Sequence, residues 1–175
     1  METRQSEFEN TVMPHSRSLL RVARRLTLNS AAAEDIVQET FLRAWRSFDQ
    51  FEAGSNARAW LFRILFNVFY AQGRKARSSA RVVPFPAPES QPRGGTDFSA
   101  LDAAMLSAAL DDLSEEHRTV ILLAVVEGFT CRELAEILSL PIGTVMSRLS
   151  RARQSLREIL EPPAPRLARA QASAK

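Results

Sequence analysis

The chain has 175 residues, which is enough for one mid-sized domain or two small ones. Hydrophobic residues make up 45% of it, and 23 Lys and Arg against 20 Asp and Glu leave a net charge of +3. The single cysteine, Cys131, excludes an intrachain disulfide. The sequence contains neither a signal-peptide pattern nor an apolar run of membrane-spanning length, so we expect a cytoplasmic protein without membrane insertion.

The first part of the chain, up to about Arg77, has helical periodicity and predicts three helices. The apolar stripe of the first helix consists of Val12, Leu19, Leu20, Ala23 and Leu26. Either Asn29 or Ser30 caps the second, whose buried face is Ile36, Val37, Thr40, Phe41, Ala44, Trp45 and Phe48. Either Ser55 or Asn56 caps the third, whose buried face is Trp60, Leu61, Ile64, Leu65, Val68 and Phe69.

Two surfaces remain once these apolar faces are assigned. The second helix has a polar stripe that is either a solvated face or a docking strip for a protein of complementary charge; it consists of Asp35, Gln38, Glu39, Leu42, Arg43 and Arg46. The third helix also carries Phe62, Phe66 and Tyr70. They indicate either a fully buried helix or, with Arg63, Asn67 and Arg74 beside them, a surface that stacks unpaired bases.

Residues 78–100 are rich in Pro, Gly and Ser, which predicts a flexible linker. Residues 161–175 are rich in proline and alanine and are expected to form a disordered tail. The expected fold is therefore all-α, with two small helical domains, residues 8–77 and 101–160, joined by the linker.

The second domain ends in a predicted helix-turn-helix at about residues 131–155. A preceding helix is expected to start after Ser114 and to stop at Gly128. Thr130 and Glu133 then form a capping box for the first helix of the motif, which ends before Pro141.

The second helix of the motif is expected to present two different faces. Gly143 is expected to let its backbone pack closely, and its buried face consists of Val145, Leu149, Ala152, Leu156 and Ile159. The opposite face suits phosphates and base edges and carries Ser147, Arg148, Ser150, Arg151 and Gln154. A structural helical hairpin with a solvated cationic face is the alternative.

We do not expect an enzyme. His15 and His117 are isolated, Cys131 has no nearby partner, and the sequence lacks a phosphate-binding glycine loop and a metal-ligand cluster. We therefore expect no catalytic residue, no metal and no cofactor.

Three runs of sequence, in this order, resemble bacterial sigma factors of the sigma-70 family, specifically the extracytoplasmic-function (ECF) group. They are DIVQETFLRAW from Asp35 to Trp45, ARAWLFRILFN ending at Asn67, and GTVMSRLSRAR from Gly143 to Arg153. The resemblance covers both domains and implies that the first is sigma region 2 and the second sigma region 4.

The resemblance implies a factor that binds RNA polymerase core and directs promoter-specific transcription. The clamp helices of the large subunit would contact Asp35, Gln38, Glu39, Leu42 and Arg43, with the flap as a second polymerase contact. The melted −10 element would be held by Phe51, Arg63, Asn67, Arg74, Lys75 and Arg77. The −35 duplex would be read by Thr144, Ser147, Arg148, Ser150 and Arg151.

An anti-sigma factor is a further partner that the resemblance implies. Two alternatives remain open. One is a sigma-like decoy that binds an anti-sigma factor without driving transcription, and the other is a simple helix-turn-helix transcription regulator.

Overall fold

Eight α-helices build the residues that the structure, a computed structural model, describes: 3–79 and 98–160, with side chains over 3–74 and 104–160. The first four are α1 (Arg4–Val12), α2 (Ser16–Thr27), α3 (Ser30–Ser47) and α4 (Ala57–Ser79). The others are α5 (Phe98–Asp112), α6 (Glu115–Ile121), α7 (Cys131–Leu138) and α8 (Ile142–Leu160). These residues contain no strand, which confirms the all-α prediction. None of these helices is apolar enough over a sufficient length to cross a bilayer.

The predicted first helix is in fact two helices, α1 and α2, separated by a 3₁₀ turn at Met13–His15. Pro14 lies in this turn; because it has no amide N–H and its ring clashes with the preceding turn, it interrupts the helix. The prediction of three helices in this domain was therefore wrong by one. The separate α1 is tied to the domain by Arg4, which donates to the carboxylate of Asp49 at 2.8 Å.

Side-chain caps set where most of the helices begin. Asn29, rather than Ser30, caps α3 by accepting from the amide of Ala32 at 2.9 Å. Asn56, rather than Ser55, caps α4 in the same way through the amide of Ala59 at 3.0 Å. Ser114 caps α6, as expected. Each such cap satisfies an amide that the helix itself leaves without a partner.

The core of the first domain lies between α2, α3 and α4. Its fully buried side chains include Leu19, Val22, Ala33, Leu61 and Leu65. Burial of each large aliphatic side chain contributes about 1.5–3 kcal/mol relative to exposure. The predicted inward face of α3 is confirmed at Ile36, Val37, Thr40 and Ala44, and Phe48, just after the helix ends, is also buried.

Helix α5 begins at Phe98, inside the predicted linker. No helix was predicted over residues 98–112, although leucine and alanine are frequent there. Residues 80–97, the rest of the predicted linker, and the predicted tail at 161–175 lie outside the described residues.

The helix-turn-helix is present as α7 and α8. The capping box is complete, since Thr130 accepts from the amide of Glu133 while the Glu133 carboxylate accepts from the amide of Thr130 at 2.8 Å. Ser139 then ends α7 in the left-handed region, with φ of 53°. Two details of α8 differ from expectation. A Cβ at Gly143 would meet no atom, so close packing does not require that glycine, and Ile159 is 41% exposed because it lies in the exposed last turn.

The two domains pack directly against each other along α4. The rings of Phe62 on α4 and Phe129, just before α7, meet edge to face with centroids 5.2 Å apart. Arg58 on α4 stacks on the same Phe129 ring at 4.4 Å. Phe62 and Phe66 are therefore core residues, 0% and 1% exposed, so α4 matches the buried-helix alternative and not the base-stacking surface.

Loss of the Glu133 carboxylate is expected to destabilise the protein at neutral pH. Hydrogen bonds from the Thr130 amide and hydroxyl hold the pKa of Glu133 below its ordinary value of 4.5. A depressed folded-state pKa means that the stabilisation is complete above pH 4.5 and is lost as the pH falls through the lowered value.

Glu133→Ala should therefore cost about 1 kcal/mol at neutral pH, the usual worth of a cap, and progressively less in acid. Urea unfolding followed by circular dichroism measures this difference at each pH. Glu136→Ala, at an exposed site on the same helix, is the control. A Glu133→Ala cost that stayed constant down to strongly acidic pH would contradict the capping interpretation.

Candidate nucleic-acid and polymerase interfaces

The polar stripe on α3 lies on the surface of the first domain. Asp35, Gln38, Leu42 and Arg43 are exposed, and Glu39 is half-buried. Glu39 accepts from Arg43 at 2.7 Å one helical turn later, which orients both side chains along the helix. Leu42 is 51% exposed, so the stripe combines an apolar contact with charges of both signs. This composition suits a protein partner better than a polyanion.

One narrow stripe of α4 is polar and exposed. Arg63, Asn67 and Arg74 occur at helical spacing, and all three side chains are exposed. Among the α4 side chains that the structure describes, Gln72 is the one other exposed residue, and the neighbouring Leu65 and Val68 are fully buried. Lys75 and Arg77 continue α4, but their side chains lie outside the described ones.

Phe51 occupies a different position from the stripe on α4. It is half-buried in the loop between α3 and α4, where its ring stacks on Phe48 at 5.9 Å and contacts Trp60 at 4.9 Å. A pocket of about 340 Å³ opens beside Phe51 and is also lined by Arg4 and by Gly54, whose φ of +87° turns the loop. The ring therefore closes an aromatic cluster on one side and borders an open pocket on the other.

Tyr70 is the one member of the predicted aromatic surface that is not fully buried. Burial raises the pKa of its hydroxyl above the ordinary value. It borders a cleft of about 580 Å³ between the domains, which is also lined by Arg74 on α4 and by Arg148 on α8. The structure thus brings together one arginine from each of the two predicted DNA-binding sets.

The predicted base-reading face of α8 is exposed over most of its length. Ser147, Ser150 and Arg151 are exposed, and Thr144 is half-buried with its carbonyl accepting from the Ser147 hydroxyl at 3.0 Å. Arg148 differs from them. Its guanidinium is paired with Glu116 at 3.2 Å, and its side chain is only 26% exposed.

Three charged residues that sequence reasoning missed meet between the domains. Glu127 lies between Arg21 and Arg58, although the three are far apart in the chain. A usable signal was present, because Glu127 follows the apolar run VILLAVV directly. A carboxylate in such a run is buried only with a cationic partner, but the sequence does not say which arginine supplies it.

Family models match both domains. Sigma-70 region 2 matches residues 11–79, and Sigma-70 region 4 matches residues 103–156. The two matches occur in the order predicted from the three sequence runs and fall on the two described parts of the chain.

Individual relatives agree with these matches. The chain is 38% identical to the ECF RNA polymerase sigma factor SigL of Mycobacterium tuberculosis, over 84% of this chain and 85% of SigL. It is 36% identical to the ECF sigma factor SigE of Mycolicibacterium smegmatis, but spans only 61% of that protein's length.

A solved structure extends the agreement to the fold. The sigma factor RpoE of Bartonella quintana, in complex with the anti-sigma factor NepR, is 36% identical with a TM-score of 0.73. The match covers 90% of this chain and 99% of RpoE. The chain therefore belongs to the sigma-70 family of bacterial RNA polymerase sigma factors, in the extracytoplasmic-function group.

Proposed function

We propose that this protein binds RNA polymerase core and directs promoter-specific initiation by holding the −10 element as single strand and reading the −35 element as duplex. The observation that carries the proposal is the separation of three exposed surfaces on one chain. They are the mixed strip on α3, the Arg63–Asn67–Arg74 stripe on α4 and the polar face of α8. The protein performs no bond chemistry in this scheme, and it works in the cytoplasm, where the polymerase is.

The strip on α3 is the proposed polymerase contact. Asp35 and Gln38 stand exposed, and Leu42 offers the apolar centre around which polar contacts can exclude water. None of these residues is needed for the core, whose contribution from α3 comes from the opposite face.

The stripe on α4 is the proposed −10 contact. Arg63 and Arg74 supply positive charge for phosphates, and the Asn67 amide can both donate to and accept from the edge of an unpaired base. The pocket beside Phe51 offers an aromatic wall to a flipped base. Flipping costs a few kcal/mol, which stacking and hydrogen bonding there would offset.

The exposed face of α8 is the proposed −35 contact. The second helix of a helix-turn-helix places its first turns in the major groove, and these turns contain Ser147, Ser150 and Arg151. An arginine there can donate two hydrogen bonds to guanine. Arg151 is exposed for this role, whereas Arg148 must first leave Glu116.

An anti-sigma factor is the proposed regulatory partner, supported by the RpoE structure, which is a complex with NepR. The decoy alternative is weaker, because a protein that only occupies an anti-sigma factor has no need of the exposed arginines at 63, 74 and 151. A regulator built on the helix-turn-helix alone would not need the strip on α3.

Run-off transcription with purified polymerase core and a promoter library tests the function. The expected result is discrete transcripts from a subset of promoters that appear only when this protein is added. If no promoter gave a transcript while an anti-sigma factor still bound tightly, the decoy would replace the proposal.

The two DNA contacts are expected to separate by mutation. Arg151→Ala should weaken binding of a −35 duplex by the holoenzyme by about 1–3 kcal/mol, the worth of one bidentate base contact. Asn67→Ala should leave duplex binding intact but reduce strand opening, measured by permanganate reactivity of unpaired thymines. Arg17→Ala, at an exposed arginine on α2, is the charge-matched control. Equal loss of duplex binding in Arg151→Ala and Asn67→Ala would contradict this division.

The polymerase contact is expected to be sensitive to charge reversal on α3. Asp35→Lys should lower the affinity for polymerase core by about tenfold or more, because it reverses the charge of a side chain in the proposed contact. Fluorescence anisotropy of the labelled protein titrated with core measures this affinity. Glu9→Lys makes the same charge change at an exposed position on α1 and should bind core normally. Equal affinities for the two variants would remove Asp35 from the interface.

A further inference from the structure

Glu127 is a buried carboxylate held by two arginines of the other domain. Its side chain is 0% exposed. One oxygen accepts from Arg21 on α2, at 3.1 Å from Nε and 2.7 Å from Nη2, and the other accepts from Arg58 on α4. The first domain supplies both cations and the second supplies the anion, so the charges are balanced only while the domains are in contact.

The local backbone explains why Glu127 points at the first domain. It follows a π-helical turn at Leu122–Val126, and its amide donates to the carbonyl of Leu122 at 3.0 Å, five residues earlier. Gly128 then turns the chain with φ of +72°, which a residue with a side chain adopts only under strain. One extra residue in the helical turn rotates the helix end, and π-turns of this kind are frequent at functional sites.

The same region of the interface contains further pairings between the domains. The Asn56 amide on the first domain donates to the Glu133 carboxylate of α7 at 2.9 Å. The Arg58 guanidinium, besides its bond to Glu127, covers the Phe129 ring. Arg118 of α6 is 8% exposed and donates to the Arg25 carbonyl of α2 at 3.4 Å.

The packed arrangement restricts the joint use of the two proposed DNA contacts, but not the proposed polymerase contact. Arg74 of the −10 set and Arg148 of the −35 set line one cleft between the domains, so the packed form holds the two sets close together. The strip from Asp35 to Arg43 remains exposed on α3.

The distance between the two promoter elements gives a second reason why the closed protein cannot use both DNA contacts at once. Elements at −35 and −10 are about 25 base pairs apart, or roughly 85 Å of duplex at about 3.4 Å per base pair. A compact body of about 140 residues is only roughly 40 Å across. Two domains in contact therefore cannot reach both elements together.

We propose that Glu127, Arg21 and Arg58 form a latch that keeps the free protein closed and that opens when the protein reads a promoter. Polymerase can bind the exposed strip on α3 while the latch is shut, and separation of the domains then follows on the enzyme. The closed state itself is independent of the proposed function, whereas its effect on DNA binding rests on that function.

The chain contains its own probes for the latch. Both tryptophans, Trp45 and Trp60, lie in the first domain, and the only cysteine, Cys131, lies half-exposed in the second. Energy transfer from tryptophan to a fluorescent acceptor on Cys131 therefore reports closure in the otherwise unmodified chain. Glu127→Gln keeps the size of the side chain and removes the charge, and Glu136→Gln makes the same change at an exposed site on α7.

The expected result is high transfer in the wild type and in Glu136→Gln, and lower transfer in Glu127→Gln. The closed-to-open ratio should fall by about tenfold, the scale of one hydrogen bond to a charged group. Arg58→Gln changes only the first domain and should lower transfer similarly, so a folding defect of the second domain cannot account for both effects. In the double variant Glu127→Gln with Arg58→Gln, the loss of stability of the closed form should be smaller than the sum of the losses in the two single variants. Both substitutions break the same interaction.

The latch would be overturned if both Glu127→Gln and Arg58→Gln kept the high energy transfer expected of the closed form. It would also be overturned if the wild type itself showed the low transfer expected of the open form. The functional consequence is measured separately, as binding by the protein without polymerase of a DNA that carries both a −35 duplex and an unpaired −10 segment, because only the open form can reach both. Glu127→Gln should bind about tenfold more tightly than wild type and Glu136→Gln should not, in proportion to the gain in open form.

The two proposals fail in different ways. If run-off transcription shows no promoter-specific product, the proposed function is wrong while the energy-transfer result stands. If transcription is promoter-specific but transfer does not respond to Glu127 or Arg58, the latch is wrong and the function stands.

Discussion

Helix α4 is the element on which both domains depend, because both of them bury part of it. Leu61 and Leu65 belong to the core of the first domain, and Phe62 meets Phe129 of the second. Few of the described positions on α4 remain exposed, and they include Arg63, Asn67 and Arg74. The proposed single-strand contact therefore consists of the positions on α4 that neither domain buries. A rigid helix suits a site that must hold extruded bases in place.

The charged contacts between the domains depend on geometry more strongly than the apolar contacts do. Burial of Phe62 and Phe129 is favourable with little directional requirement. Glu127 is favourable only in a particular arrangement, since a buried carboxylate without Arg21 and Arg58 would be strongly destabilising. Such a cluster selects one relative position of the domains without making separation prohibitive, because all three groups are well solvated once the interface opens. A protein whose domains separate on the polymerase, as proposed, needs this combination.

The proposed function distributes recognition over two domains that bind different forms of one promoter. Linking two moderate contacts raises total affinity only if the geometry allows both at once. In the closed protein that geometry is absent, and Arg148 is paired within its own domain. An external scaffold that separates the domains would therefore contribute the spacing between the two contacts. The exposed strip on α3, with Leu42 at its centre, is available to that scaffold in either state.

Local signals in the sequence were sufficient for most of the helices, most of their caps and the family. The capping box at Thr130, the stop at Gly128 and the buried face of α3 depend on neighbours within a few residues, so they can be predicted without the fold. Pro14 was equally local and would have divided the first helix correctly. Tertiary structure alone decided that Phe62 and Phe66 are buried, because an apolar helix face does not specify what covers it. It also decided the partners of Glu127, since Arg21 lies 106 residues away in sequence and only packing of the domains brings the two charges together.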